Sequence, residues 1–296
     1  MKICFNFSPA VHQHNGEMAS PFLSIIVLNY NTRDLVLKCL DSFYGSAIHS
    51  GWQIIVVDNG STDDTARAVA ERFPAVELVR SERNLGFAGG INLGLQRAIG
   101  RVIVLMNSDV LASAETLKAA AGALLAQPGV GVLSPLLRAP DGKPQAFAFG
   151  KDQTPGYLVL RGLKTLLGLG PMHQWDVRHP LEVDWVSGAC MVVRREAVEQ
   201  VGWLDERFFL YFEDNDWCLR MRKAGWRVVY DPRFEVTHLG GSSLPQRNRA
   251  AQIYYQSLVQ FTAKHYGLWK AKAIDALLRV YLVLRKLLRL ERVRPR

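Results

Sequence analysis

Four short runs of almost unbroken apolar residues recur in the first third of the chain. They are SIIVLNY at Ser24–Tyr30, QIIVVD at Gln53–Asp58, VELV at Val76–Val79 and VIVLM at Val102–Met106. Segments with helical character, Arg33–Tyr44, Asp63–Phe73 and Phe87–Ile99, separate them. Strands covered on both faces read as continuous apolar runs, so this alternation predicts an α/β fold with a mostly parallel central sheet and helices on both faces. Further on, Ser113–Ala126 predicts a helix, Asp184–Val193 a strand, Asp214–Ala224 a helix ending at Gly225, and Trp226–Tyr230 a strand. Arg249–Tyr266 and Leu268–Leu290 predict terminal helices. Pro135–Pro180 is rich in Gly and Pro and shows little periodicity, which predicts long connections serving a site. The expected organisation is an N-terminal extension at 1–20, an α/β domain at 21–245 and a basic helical tail at 246–296.

Open α/β sheets bind ligands beyond the carboxyl ends of their strands, so the residues after each run carry the candidate chemistry. Asn29-Tyr30-Asn31 follows the first run, and Asp58-Asn59-Gly60-Ser61-Thr62-Asp63 the second. Asp58 can accept hydrogen bonds from a base or ribose; the alternative is a turn in which Asp63 or Thr62 caps a helix. The third run leads into NLGFAGGINLGL at Asn84–Leu95, with glycines at 86, 89, 90 and 94. Glycines admit a ligand close to the backbone, and a helix N-terminus favours an anion; tight helix–sheet packing is the competing account. The stretch has neither GxGxxG spacing nor a P-loop lysine, so no dinucleotide or ATPase site is indicated. Asn107-Ser108-Asp109 follows the fourth run and suits either a divalent ion against a diphosphate or an ordinary turn.

Two later stretches add titratable groups. FFLYFEDNDWCLRMRKAG places Glu213, Asp214 and Asp216 at a helix start between Phe212 and Trp217. Acids there complement the helix dipole, and apolar walls also suit a general base; Arg220 is expected to pair with one of them. His238 precedes a Gly-Gly-Ser-Ser run and is either structural or a neutral ligand to a carboxylate-bound cation.

Charge changes the picture only at the end of the chain. The formal net charge is +9, but residues 264–296 hold ten Lys/Arg and two Asp/Glu, leaving 26 basic and 25 acidic residues in the other 263. The body is near neutral, so nucleic acid is not an expected partner. Ile274, Leu277, Leu278, Tyr281, Leu282, Leu284 and Leu288 share one helical face, with Lys272, Arg279, Lys286 and Arg289 largely on another. That pattern suits an anionic membrane surface bound through 268–296, or a helix packed on the core. Four scattered cysteines without a CxxC pair suggest neither a zinc ribbon nor a disulfide framework. With no convincing signal peptide and no apolar run of about 18 residues, the expected place is the cytoplasm, with peripheral attachment to the inner membrane face through the tail.

Taken in order, SIIVLNYN, VVDNGSTDDT, NLGFAGGINLG, LMNSDV, WVSGACMVVRREA, GWLDERFFLYFEDNDWCLRMRKAGW and VTHLGGSS resemble the family 2 glycosyltransferases of GT-A fold, closest to the rhamnosyltransferase-like branch. The resemblance spans Ser24 to Ser243. It implies an inverting enzyme that takes a sugar from a nucleoside diphosphate donor, dTDP-rhamnose first and UDP-galactose or UDP-GlcNAc second, to a glycan or lipid-linked acceptor. By resemblance Asn29, Asp58, Asn84, Gly86, Gly89, Gly90, Asn92 and Asn107 bind the donor. Asp109 and His238 hold Mg²⁺ or Mn²⁺. Asp214, beside Glu213, is the base, and Trp185, Gly188 and Asp216 shape the acceptor side. The chain departs from the family at Asn107, which stands where the first Asp of Asp-x-Asp is usual. That departure favours one rival, a degenerate module that binds sugar nucleotides without catalysis. A nucleotidyltransferase, the other rival, calls for a basic Gly-rich loop after the first strand, and NYNTRD is not one.

Overall fold

The computed structural model describes residues 22–240 and 247–287; the expected extension at 1–20, the Gly-Ser run after Gly240 and the last nine residues lie outside them. The strands are β1 (Leu23–Asn29), β2 (Gln53–Asp58), β3 (Glu77–Arg80), β4 (Val102–Asn107), β5 (Val110–Leu111), β6 (Val130–Arg138), β7 (Phe149–Gly150), β8 (Leu181–Glu182), β9 (Trp185–Val186), β10 (Cys190–Arg194) and β11 (Arg227–His238). The helices are α1 (Arg33–Asp41), α2 (Tyr44–His49), α3 (Thr65–Arg72), α4 (Gly86–Leu95), α5 (Ala114–Leu125), α6 (Pro155–Leu166), α7 (Arg195–Val201), α8 (Glu213–Lys223), α9 (Arg247–Tyr266) and α10 (Leu268–Leu287).

The main sheet runs β3-β2-β1-β4-β10-β6-β11-β5, with β8 beside β11. β1 to β4 are mutually parallel and β11 is parallel to β6, while β10 runs antiparallel to β4 and to β6. Register aligns Asn29 with Asp58 and Leu28 with Asn107, so three polar strand ends line one edge of the sheet. α4 lies directly on β1. A Cβ at Gly90 would come within 2.4 Å of Leu28 Cδ1, and one at Gly94 within 2.4 Å of Ile26 Cγ2.

Several elements depart from the expected pattern for identifiable reasons. The helix expected over Arg33–Tyr44 stops at Asp41, where the Ser42 hydroxyl turns back to the Cys39 carbonyl at 2.6 Å. The strand expected over Asp184–Val193 is interrupted by Ser187-Gly188-Ala189 and forms β9 and β10. The strand expected over Trp226–Tyr230 becomes β11, which continues eight residues past Tyr230 because a bulge between Asp231 and Glu235 absorbs Pro232. Pro135–Pro180 is more than connection: it contains α6, started by the Thr154 hydroxyl accepting the Tyr157 N–H at 3.2 Å with Pro155 in the first turn.

The apolar side chains form two cores. The larger surrounds the sheet. The smaller joins Leu158 of α6, Leu258 and Phe261 of α9 and Ile274 of α10 to Phe208 and Phe212, the residues leading into α8.

Candidate active site

The polar strand ends are tied to one another before any ligand is considered. The Asn29 amide donates to Ser61 Oγ at 3.2 Å and Thr65 Oγ1 at 3.1 Å, and its oxygen accepts from Thr32 Oγ1 at 2.6 Å. Thr32 in turn pairs with Ser108 Oγ at 2.7 Å. Buried Asp58 accepts the Ser61 N–H at 3.0 Å, and its second oxygen lies 3.5 Å from exposed Arg80. Asn59 accepts the Leu85 N–H at 3.0 Å and donates to the Gly86 carbonyl at 2.9 Å, which fixes the approach to α4. The sequence marked Asn59 only as part of a turn.

The glycine stretch is closely packed against its neighbours. Leu85, Gly86 and Phe87 already donate their N–H groups to Asn59, Asn84 and the Phe209 carbonyl, the last at 2.7 Å. The anion seat expected at this helix start is therefore filled by protein acceptors. Gly86 has φ 77°, and a Cβ there would sit 2.2 Å from the Phe209 carbonyl, so no side chain is accommodated. Asn92, expected on the donor, is buried instead against Leu204 and Glu206, whose backbone and carboxylate take its amide at 3.0 and 2.9 Å.

Asp109 and His238 meet as expected. β5 pairs with the end of β11, and His238 Nε2 lies 3.3 Å from Asp109 Oδ1. Gln145 sets the tautomer. Its amide nitrogen donates to the His238 carbonyl at 2.7 Å, so its oxygen faces Nδ1, also at 2.7 Å, and Nδ1 must carry the proton. The Nε2 lone pair of a neutral His238 then faces a carboxylate oxygen, an arrangement that a cation between them satisfies. Among the described residues no three His, Cys, Asp or Glu side chains gather as a ligand set. The pair thus suits an ion that takes its remaining ligands from phosphate oxygens and water. Gln145 lies in a segment without periodicity, and the sequence carried no signal for it.

The carboxylate pair sits across a short chain of contacts. The Asn107 N–H donates to Ala189 at 3.0 Å, and the neighbouring Gly188 N–H donates to Asp214 Oδ2 at 3.1 Å. Asp214 Oδ1 accepts the Asn215 N–H at 2.7 Å. Tyr211 and Phe212, both at left-handed φ of 67° and 71°, deliver the chain to this helix start. Burial raises the Glu213 carboxyl well above its usual range, aided by the negative charge of Asp214, and its Oε2 is buried without a hydrogen-bond partner. Burial also raises Asp214, against the pull of the Gly188 and Asn215 N–H groups.

Two residues expected on the acceptor side are engaged elsewhere. Asp216 is fully buried and bonded to Arg220 at 2.8 Å, Lys264 at 2.5 Å and His265 at 2.7 Å. It fastens α9 to α8, with Arg220 as the expected partner. Trp185 packs its ring on Gly150 and donates to the Lys151 carbonyl at 3.0 Å. Gly188 packs closely as well, because a Cβ there would strike the Phe87 ring at 2.9 Å. The segment 145–148 bridges the two halves: Gln145 holds His238, and the Ala148 carbonyl accepts the Ser187 N–H at 2.8 Å. Between them Phe147, at φ 63°, leaves its ring 47% exposed and 4.9 Å from Trp175.

A mostly parallel sheet with acids and amides along its carboxyl edge and a buried carboxylate pair opposite is the arrangement of a GT-A glycosyltransferase. Residues 20–254 match the model of the glycosyltransferase-like family 2, and the chain belongs to that family. It is 34% identical over 243 residues to the N-acetylglucosaminyl-diphospho-decaprenol L-rhamnosyltransferase of Mycobacterium tuberculosis, covering 74% of this chain and 77% of that protein. It is 24% identical over 247 residues to the low-salt glycan biosynthesis hexosyltransferase Agl10 of Haloferax volcanii, covering 82% and 75%. The fold is similar to that of a Pyrobaculum calidifontis mannosyltransferase solved with GDP-Man and Mn²⁺, with a TM-score of 0.57 and 23% identity over 90% of this chain and 81% of that one. The protein is a glycosyltransferase.

Proposed function

We propose that the enzyme transfers rhamnose from dTDP-rhamnose, with inversion, to a hydroxyl of a lipid-linked glycan, and that Asp214 is the general base. The observation that carries this reading is the contact chain from Asn107 through Ala189 and Gly188 to Asp214, which holds a carboxylate within reach of the strand ends. The acceptor oxygen attacks the anomeric carbon and its proton passes to Asp214. The bond from that carbon to the diphosphate oxygen breaks, and the nucleoside diphosphate leaves. Asp109 and His238 would hold a divalent cation, Mg²⁺ or Mn²⁺, which when bound supplies positive charge against the leaving diphosphate. Asp58, at the end of β2, is the group assigned to the nucleoside. The choice of rhamnose and of a lipid-linked acceptor is supported by the named activity of the mycobacterial relative.

The acceptor sugar is assigned to the exposed face of Phe147, which lies on the segment between the histidine clamp and the turn holding the base. Aromatic rings are common walls of ligand pockets. Phe147→Ala is expected to raise the acceptor KM and leave donor affinity unchanged; an unchanged acceptor KM removes Phe147 from the acceptor site.

Calorimetric titration with dTDP-rhamnose, UDP-galactose and UDP-GlcNAc, each with and without Mn²⁺, tests the donor. Tight, metal-dependent binding of dTDP-rhamnose alone is expected, and preference for a UDP-sugar overturns the rhamnose assignment. Asp214→Asn is expected to keep donor binding and lower turnover about 10³-fold. Unchanged turnover ends the role of Asp214 as base, and donor binding without turnover in the unaltered chain favours a sugar-nucleotide-binding module.

A further inference from the structure

We propose that α6 and α10 together form a docking surface for an anionic lipid bilayer. The sequence directs attention to the tail alone, and α6 lies in the stretch it marks as connection. In the structure the two helices lie side by side, with Leu158 of α6 and Ile274 of α10 in one core. Their outer faces are apolar, and no element among the described residues covers them. Val159, Leu160 and Leu163 of α6 are exposed, as are Leu167 and Leu169 just beyond it. On α10 Leu277, Val280 and Val283 are exposed, and Trp269 is 85% exposed. A groove of about 490 Å³ runs between the helices, walled by Val159, Leu160 and Leu163 on one side and Ala273, Ile274 and Leu277 on the other. Contiguous apolar surface of this kind marks an interaction site.

Charge selects the occupant. α10 carries Lys270, Lys272 and Arg279 among its exposed residues against one acid, Asp275, which Arg279 already binds at 3.0 Å. Lys270 stands at the rim of the groove, and Lys272 Nζ lies 5.6 Å above the Trp269 ring. An amphipathic ring beside cations at the edge of an apolar face suits the headgroup level of a membrane. The cations complement acidic lipids. A second copy would bring the same cations against themselves. No helix among the described residues is long and apolar enough to cross a membrane, so the pair lies along the surface. The underside of the platform is the core containing Phe212, one residue before Glu213, so docking sets Asp214 at a fixed distance from the lipid.

This inference deepens the lipid-linked acceptor reading, yet its test uses no turnover. The full chain is floated with vesicles of phosphatidylcholine alone and of phosphatidylcholine mixed with phosphatidylglycerol. Binding to the mixed vesicles only, weakened by salt, is expected. Two double variants at exposed positions, Leu160→Glu with Leu163→Glu on α6 and Trp269→Glu with Val280→Glu on α10, are each expected to lower the bound fraction about tenfold or more. Their melting curves and donor titrations should match those of the unaltered chain. Full binding by the α6 variant overturns the two-helix surface, and equal binding to both vesicle types overturns the role of charge. If light scattering shows a dimer that either variant dissociates without vesicles, the face joins two copies and the lipid proposal fails.

Discussion

Asp214 and Glu213 are consecutive residues with opposite surroundings. Asp214 accepts two backbone N–H groups, while Oε2 of Glu213 accepts none. Charge is therefore better tolerated on Asp214, which leaves Glu213 as the member that keeps a proton. Burial, then the Asp214 charge, raises the Glu213 carboxyl above its unfolded value. Its contribution to stability is complete below the unfolded value and is lost as pH rises through the folded one. Glu213→Gln stays neutral, so its melting temperature is expected to gain on the unaltered chain as pH climbs from about 5 to about 9. A gap that does not widen with pH disproves the buried-acid account. Residue types at strand ends were legible in the sequence because polar groups there stand out against apolar runs. Roles were less so. Asn92 has the right chemistry for a donor, yet its partners Leu204 and Glu206 are more than a hundred positions away in the chain.

Among the elements, α8 and α9 depend on one buried carboxylate. Burial pushes the Asp216 carboxyl up, but hydrogen bonds from His265, Lys264 and Arg220 outweigh it and hold the carboxyl below its usual range. The stabilisation is present above the unfolded carboxylate value and is lost as pH falls through the folded one. Asp216→Asn leaves three basic groups around a neutral amide and is expected to cost about 3 kcal/mol at neutral pH. Denaturant unfolding measures this; a raised acceptor KM with stability unchanged would return Asp216 to the acceptor side. The long strands and helices were legible because burial imposes period. β5, β7, β8 and β9 have two residues each, too few for any period to show. β10 runs antiparallel yet is buried on both faces, so its apolar run reads like that of a parallel strand.

Across the whole molecule, the sheet core positions the strand-end loops and the smaller core positions the Glu213-Asp214 pair. The second core was hidden because its members come from four separated segments whose spacing in sequence says nothing of their contact. One link between the two halves has a corollary for binding. Gln145 grips His238 at two points, and the chain leaving it carries Phe147 toward Ser187. Whatever steadies the imidazole also steadies the wall assigned to the acceptor. Affinity coupled in this way is reciprocal, so each substrate tightens the hold on the other. Bound nucleotide sugar is therefore expected to lower the acceptor Kd, and bound acceptor to lower the nucleotide-sugar Kd by the same factor, which paired titrations measure.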